Sequence, residues 1–200
     1  MQKGLYIIGS YINHMVQKYT RVKNIELEII LSLIRGEGHV REIARTINEP
    51  HSTVIRKLSL LMQDNAIDYK QEGKNKVFFI KKTLQGKHYV FSAERYKFIK
   101  LLRKYPELSV ILEDILKLIN ELIILFGSYA KFSAKEDSDI DIYIKTEDQK
   151  IRHKIKELHS KVNIKTGKFD ANSLLIKEII KNHIIIKGIE EFYERSKFFE

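Results

Sequence analysis

The sequence predicts an α+β protein with two domains, and three observations support this fold class. A helix-rich first part ends in two apolar segments separated by Gly73-Lys74-Asn75, which is typical of a β-hairpin. From about residue 121, strand patterns alternate with amphipathic helical patterns, which indicates a small α/β domain with a mixed sheet. The chain has 200 residues, of which 44% are hydrophobic and 31% are charged. This length and hydrophobic content are sufficient for two hydrophobic cores. We place the domain boundary between residues 90 and 91.

The first domain, residues 1–90, is expected to contain three helices and a hairpin. The third helix follows Pro50, which suits the first position of a helix. The apolar stretch from Leu5 to Val16 is expected to pack or to dimerise, which makes a homodimer one expectation. The predicted elements are helices over 25–34, 40–47 and 51–64 and strands over 67–71 and 77–82.

This order of elements resembles a winged helix-turn-helix domain. In such domains the third helix enters the major groove of DNA and the hairpin meets phosphates. Residues 1–90 hold 15 Lys and Arg against 8 Asp and Glu, an excess that favours a polyanionic partner. A protein-contact role with a solvated basic face is the alternative. The resemblance implies DNA contacts from Arg41, Arg45, Ser52, Thr53, Arg56, Lys57, Lys74 and Lys76.

The second domain, residues 91–200, is expected to begin after a connector over residues 83–91. Ser92 is expected to cap a helix over 93–104, and Pro106 to open another through residue 117. The elements predicted beyond it are strands near 121–126, 139–145, 162–169 and 183–187 and helices near 147–160, 171–181 and 188–195.

One segment of the second domain carries the clearest chemical signal. An apolar run ends at Gly127-Ser128, and Asp139 and Asp141 follow after ten intervening residues. Residues two apart on a strand share a face, so the two carboxylates lie side by side and repel each other. A divalent metal ion that holds a phosphate chain would compensate this charge.

The segments Phe126-Gly127-Ser128, Ala130-Lys131 and Ser138-Asp139-Ile140-Asp141-Ile142 resemble the signature of the polymerase-beta-like nucleotidyltransferase superfamily, most closely its minimal branch. The resemblance implies that two catalytic aspartates, Asp139 and Asp141, bind Mg²⁺. It also implies that Gly127, Ser128 and Lys131 contact the nucleotide, with ATP as substrate and AMP as the transferred group. Stand-alone members of the branch resemble antitoxins that modify HEPN-type partner toxins, so a partner protein of that kind is expected as the acceptor.

Two departures from the family pattern leave a second hypothesis open. Phe132 stands where the family usually has glycine, and the strand over 162–169 lacks the third carboxylate of active members. Asp170, at the end of that strand, is the candidate for this catalytic acid, while Lys165 could replace a metal charge instead. The alternative function is therefore a DNA-binding transcriptional regulator whose impaired nucleotidyltransferase-like domain senses nucleotide or binds a partner.

Composition excludes several other functions. The chain has no cysteine, which excludes disulfides and thiolate metal sites. The apolar stretch near the N-terminus is too short to span a bilayer, so we expect a cytoplasmic protein without a membrane partner. The seven histidines lack the spacing of metal ligands, and we expect His183 to be a strand-edge residue.

Overall fold

The structure is a computed structural model that describes residues 23–200. The stretch from Leu5 to Val16, predicted to pack or dimerise, lies outside the described residues. From residue 23 onwards, no helix is both long and apolar enough to cross a membrane.

The three helices and the hairpin predicted for the first part are present. Strands β1, β3 and β2 pair in that order as an antiparallel sheet, and β1 is a short addition to the predicted hairpin. The side chain of Asn24 starts the first helix by accepting a hydrogen bond from the backbone of Leu27. The elements are α1 (Ile25–Arg35), β1 (Gly38–His39), α2 (Val40–Ile47), α3 (His51–Gln63), β2 (Ile67–Glu72) and β3 (Asn75–Ile80).

The connector predicted over residues 83–91 is wrong, because one helix of 21 residues, α4 (Leu84–Lys104), occupies this region. Thr83, rather than Ser92, caps it by accepting a hydrogen bond from the backbone N–H of Gly86 at 3.1 Å. A Cβ at Gly86 would lie 2.1 Å from the carbonyl oxygen of Lys81, so the glycine permits close backbone packing within a helix. The position between residues 90 and 91 lies inside α4.

The second part contains the predicted mixed sheet. Its strands follow the order β6-β5-β4-β7; β5 and β6 are parallel, and the other two pairs are antiparallel. The strands are β4 (Ile123–Phe126), β5 (Ile140–Ile144), β6 (Val162–Thr166) and β7 (Ile184–Lys187). The helices are α5 (Leu108–Leu118), α6 (Gly127–Ala130), α7 (Gln149–Leu158), α8 (Leu174–Lys181) and α9 (Ile189–Arg195).

Both faces of this sheet are covered. Ile123 and Leu125 share one buried cluster with Ile155 of α7, whereas Ile124 and Tyr143 face the opposite cluster. That opposite cluster continues without a break into the core of α1, α2 and α3. The two parts of the chain therefore share a hydrophobic core.

Several loop segments meet at one edge of the mixed sheet. Phe126, at the end of β4, pairs with Asp141 near the start of β5, and Asp141 pairs with Asn163 near the start of β6. On the other side of β4, Leu125 pairs with Ile184, the first residue of β7. The loop after β4 and the segments before β5, β6 and β7 consequently meet at this edge.

Candidate functional site

Gly127 and Asp141 make the closest approach in the candidate site. Gly127 has a φ of +71°, in the left-handed region that glycine tolerates well. A Cβ at this position would lie 2.2 Å from Oδ2 of Asp141, which is shorter than any acceptable contact. The absence of a side chain at position 127 therefore lets the Asp141 carboxylate lie directly against the loop that follows β4.

The two aspartates occupy the positions expected from the strand pattern. Ile140 and Ile142 are buried in the cluster beneath the sheet, which leaves Asp139 and Asp141 on the opposite face. Asp139 is exposed just before β5, and Asp141 is half-buried on the strand. The pair is thus reachable from solvent and supported by the apolar core.

Asn163 is the site residue that the sequence analysis missed. Its side-chain amide donates a hydrogen bond of 2.8 Å to Oδ1 of Asp141 across the parallel pair β5–β6. Val162 and Ile164 are buried, so the alternation along β6 places Asn163 on the same face as the carboxylates. That alternation was visible in the sequence, whereas the register that brings Asn163 to Asp141 was not.

Asp170 lies apart from this constellation. Its carboxylate accepts a hydrogen bond from the backbone N–H of Asn172 at 2.9 Å, and its carbonyl accepts one from the Ser173 hydroxyl. These contacts form a turn before α8, whose N-cap is Ser173. Lys165 is exposed on β6, two residues beyond Asn163. Asn163, rather than either of these residues, contacts the carboxylate of Asp141.

The loop after β4 has a distinctive backbone. The carbonyl of Ser128 accepts hydrogen bonds from the backbone and hydroxyl of Ser133, which fold the loop back on itself. Phe132, at the position where the family resemblance expects glycine, has a φ of +56°. Lys131 is exposed and forms a salt bridge of 3.2 Å with Glu178 of α8.

Asp139 and Asp141 would supply two carboxylate ligands to a Mg²⁺ ion. Across residues 23–200, no three His, Asp or Glu side chains converge on a point where they could hold a metal. Mg²⁺ is commonly held by one or two carboxylates together with phosphate oxygens and water, and Asp139 and Asp141 supply that number of protein ligands. Asn163 adds an amide, but its nitrogen faces Asp141.

A positively charged cavity of about 210 Å³ adjoins Asp139. Asp139 and Asn163 lie on its wall, and Arg152 and Lys156 of α7 and Lys161 before β6 supply three positive charges. The cavity therefore places cations on the side of Asp139, where phosphate groups would be attracted.

Most of the predicted DNA-binding residues lie on the surface of the first part. Arg41 and Arg45 are exposed on α2, Lys74 is exposed at the turn between β2 and β3, and Lys76 is exposed near the start of β3. Lys76 also places its ammonium group 4.0 Å from the ring centroid of Tyr69. These four cations are all accessible to an external partner.

The predicted recognition residues on α3 differ among themselves. Val54, Leu58 and Leu61 bury one side of the helix, which leaves Ser52 and Arg56 exposed and Thr53 half-buried. Lys57 is also half-buried, and its ammonium group forms a salt bridge of 2.8 Å with Glu26 of α1. Lys57 is therefore oriented towards α1, whereas Arg56 is open to solvent.

His183 lies immediately before β7, the edge strand of the mixed sheet, and is buried, with 5% of its surface exposed. Its Nε2 lies 3.3 Å from Oε1 of Glu94, a fully buried carboxylate on α4. Glu94 and His183 are 89 residues apart, so no local pattern could have indicated this pair.

Comparison with known proteins agrees with the motif at the sheet edge. Residues 100–192 match the family model described as polymerase beta, nucleotidyltransferase, and this range includes all four strands of the mixed sheet. No curated protein matches the chain. A solved structure described as the crystal structure of a toxin-antitoxin with AMP-PNP is 23% identical, with a TM-score of 0.34 over 52% of this chain and 82% of that one. The match to the family model therefore covers the segment that holds Gly127, Asp139 and Asp141.

Proposed function

We propose that the nucleotidyltransferase domain binds ATP with Mg²⁺ and transfers AMP to an acceptor. The observation that carries this proposal is the packing of Asp141 against Gly127, with Asp139 on the same face of β5. This arrangement brings two metal-binding carboxylates to a loop whose backbone can approach a phosphate chain.

Each residue has a role in this proposal. Asp139 and Asp141 would hold the ion, which would supply positive charge to neutralise the phosphate groups. Ser128 offers a hydroxyl to the phosphate chain, and Lys131 exchanges its surface salt bridge with Glu178 for a phosphate. A surface salt bridge contributes about 0–1 kcal/mol, so this exchange costs little.

Asn163 favours the second candidate function, in which the domain binds nucleotide without efficient transfer. An amide carries no charge, and in its present orientation its nitrogen donates to Asp141 rather than offering an oxygen to a metal. Such a site could retain an Mg²⁺–nucleotide complex yet lack the third carboxylate that the family resemblance associates with activity.

Incubation with labelled ATP, Mg²⁺ and cell extract separates these two functions. Transfer of label that disappears in Asp139→Ala and Asp141→Ala supports catalysis. The exposed Glu157→Ala on α7 serves as a matched control for loss of a surface carboxylate. ATP binding without transfer, lost in the same two variants, would support the sensing function. A HEPN-type protein is the first purified acceptor to test, on the basis of the family resemblance alone.

We further propose that the first part is a winged helix-turn-helix domain that binds DNA. The supporting observations are the exposed Arg56 on α3 and the accessible cations on α2 and at the hairpin. In this arrangement α3 would read the major groove, and Lys74 and Lys76 would contact phosphates. The combined protein would couple DNA binding to nucleotide chemistry or nucleotide sensing.

A further inference from the structure

A cavity of about 500 Å³ lies between the first part of the chain and the nucleotidyltransferase domain. Arg35 of α1 and Thr46 of α2 line one side, whereas Lys97 and Lys100 of α4, Lys181 and His183 line the other. Its volume lies within the range of about 300–1,000 Å³ that is usual for small-molecule sites. The cavity is thus large enough for a metabolite and is formed by both parts of the protein.

A buried carboxylate on the cavity wall has one oxygen without a hydrogen bond. Glu94 is completely buried, and its Oε1 accepts a hydrogen bond of 2.9 Å from the Tyr193 hydroxyl and faces His183. Oε2 has no hydrogen-bond partner within residues 23–200, although the ammonium group of Lys97 lies 3.7 Å away. Buried polar atoms are rarely left unpaired, so this oxygen can accept a donor from a ligand.

The remaining charges on the wall favour an anion. Lys100 is paired with Glu28 at 2.5 Å, and Lys97 is the counter-ion of Glu94. Arg35 and Lys181 also line the cavity, and neither forms a salt bridge in the described part of the chain. After the internal pairs have cancelled, two positive charges remain available to a ligand.

We propose that this cavity binds a small phosphate monoester that also carries hydroxyl groups, such as a sugar phosphate or a nucleoside monophosphate. A phosphate monoester carries close to two negative charges at neutral pH, about −1.5 to −2, which matches Arg35 and Lys181. Its hydroxyl groups donate to the free oxygen of Glu94. Because the walls come from both parts of the chain, the bound ligand stabilises their present arrangement.

The proposed site is separate from the carboxylate pair, since neither Asp139 nor Asp141 lines the cavity. Phe132 is the connection between them, because it lies on the cavity wall and belongs to the loop that follows Gly127-Ser128. The aromatic ring also offers a nucleobase a surface for stacking. Occupation of the cavity therefore acts on the nucleotide-binding loop from its far side.

Calorimetric titration of the full chain in EDTA tests this site independently of the proposed nucleotidyl transfer. The probes are ribose 5-phosphate, AMP and inorganic phosphate. We expect at least one of the two esters to bind, and to bind equally well to the Asp139→Ala/Asp141→Ala double variant. Absence of binding by both esters, loss of binding in the double variant, or equally tight binding of inorganic phosphate would each overturn the proposal.

Four substitutions locate the binding. Arg35→Gln and Lys181→Gln remove the two free cations from exposed side chains, and we expect each to weaken ester binding by about tenfold. Lys177→Gln, one turn earlier on α8 and also exposed, is the matched control and should leave the dissociation constant unchanged. Glu94→Gln should weaken the esters but not inorganic phosphate. If neither Arg35→Gln nor Lys181→Gln weakens ester binding, the esters do not bind in this cavity. This conclusion holds even if Glu94→Gln fails to fold.

Discussion

Asn163 donates a hydrogen bond to Asp141 across two parallel strands, with 2.8 Å between Nδ2 and Oδ1. This contact gives Asp141 a neutral amide, rather than a third carboxylate, as its side-chain partner on β6. The candidate site therefore has two carboxylates and an amide that orients one of them.

Asn163→Asp should create a three-carboxylate site. Without metal, the new charge beside Asp141 should lower the free energy of unfolding by about 1 kcal/mol through repulsion. With Mg²⁺ the loss should be reversed, and nucleotidyl transfer should increase. Thermal unfolding with and without Mg²⁺ measures the first effect, and labelled ATP measures the second. If Mg²⁺ stabilises Asn163→Asp no more than the unmodified protein, Asn163 does not adjoin the metal site.

Gly127→Ala should disrupt the site beyond the backbone cost of the substitution. The new Cβ would collide with the Asp141 carboxylate, and alanine would also have to adopt a positive φ. Gly73→Ala is the matched control, because Gly73 has a φ of +59° and no atom lies within 4 Å of its added Cβ. Both variants should lose about 1–2 kcal/mol of stability, measured by urea unfolding, but only Gly127→Ala should also lose ATP binding. Normal ATP binding by Gly127→Ala would contradict the role of this contact.

Arg56→Ala and Lys57→Ala should affect DNA binding differently. Arg56 is exposed on the helix proposed to read the major groove, so its removal should weaken DNA binding by about 1–3 kcal/mol. Lys57 is paired with Glu26, so its removal should change DNA affinity much less. Fluorescence anisotropy over a range of salt concentrations measures both. Equal losses in the two variants would mean that α3 presents a different face to DNA.

Glu94→Gln should destabilise the protein at neutral pH but not in acid. Burial raises the pKa of Glu94, but Lys97, His183 and Tyr193 outweigh this effect and lower the pKa to about 2 from 4.5. Because the pKa of Glu94 is lower in the folded than in the unfolded state, its ionisation stabilises the fold at pH values above the unfolded-state pKa of 4.5. This stabilisation is lost as the pH falls towards 2. The variant should therefore unfold about 2–3 kcal/mol more easily at pH 7, with the difference shrinking below about pH 4.5. Urea unfolding at a series of pH values from 7 downwards measures the difference in unfolding free energy between Glu94→Gln and the unmodified protein. If this difference did not change with pH, Glu94 would not be ionised in the folded state.

Local patterns were sufficient for most of the secondary structure. The helix predicted over 40–47 has those bounds in the structure, and the four strands of the mixed sheet lie within three residues of their predicted ends. The connector over 83–91 was the main error. Considered locally, Gly86 and the mixed polarity of that stretch indicate a loop. In the structure, the backbone carbonyls of Lys81 and Ala66 pack closely against Gly86 of α4, and the missing side chain makes room for this contact.

The same distinction applies to the candidate site. Gly127, Asp139 and Asp141 belong to one short segment, in which strand alternation and a glycine turn are enough to place two carboxylates beside the loop that follows β4. Asn163 is 22 residues from its partner Asp141, and Glu94 is 89 residues from His183. Strand register and the burial of a charged pair depend on contacts between distant segments. The neutral neighbour of Asp141 and the cavity between the two parts were therefore decided by the tertiary structure, while the carboxylate pair and its loop were already readable from the chain.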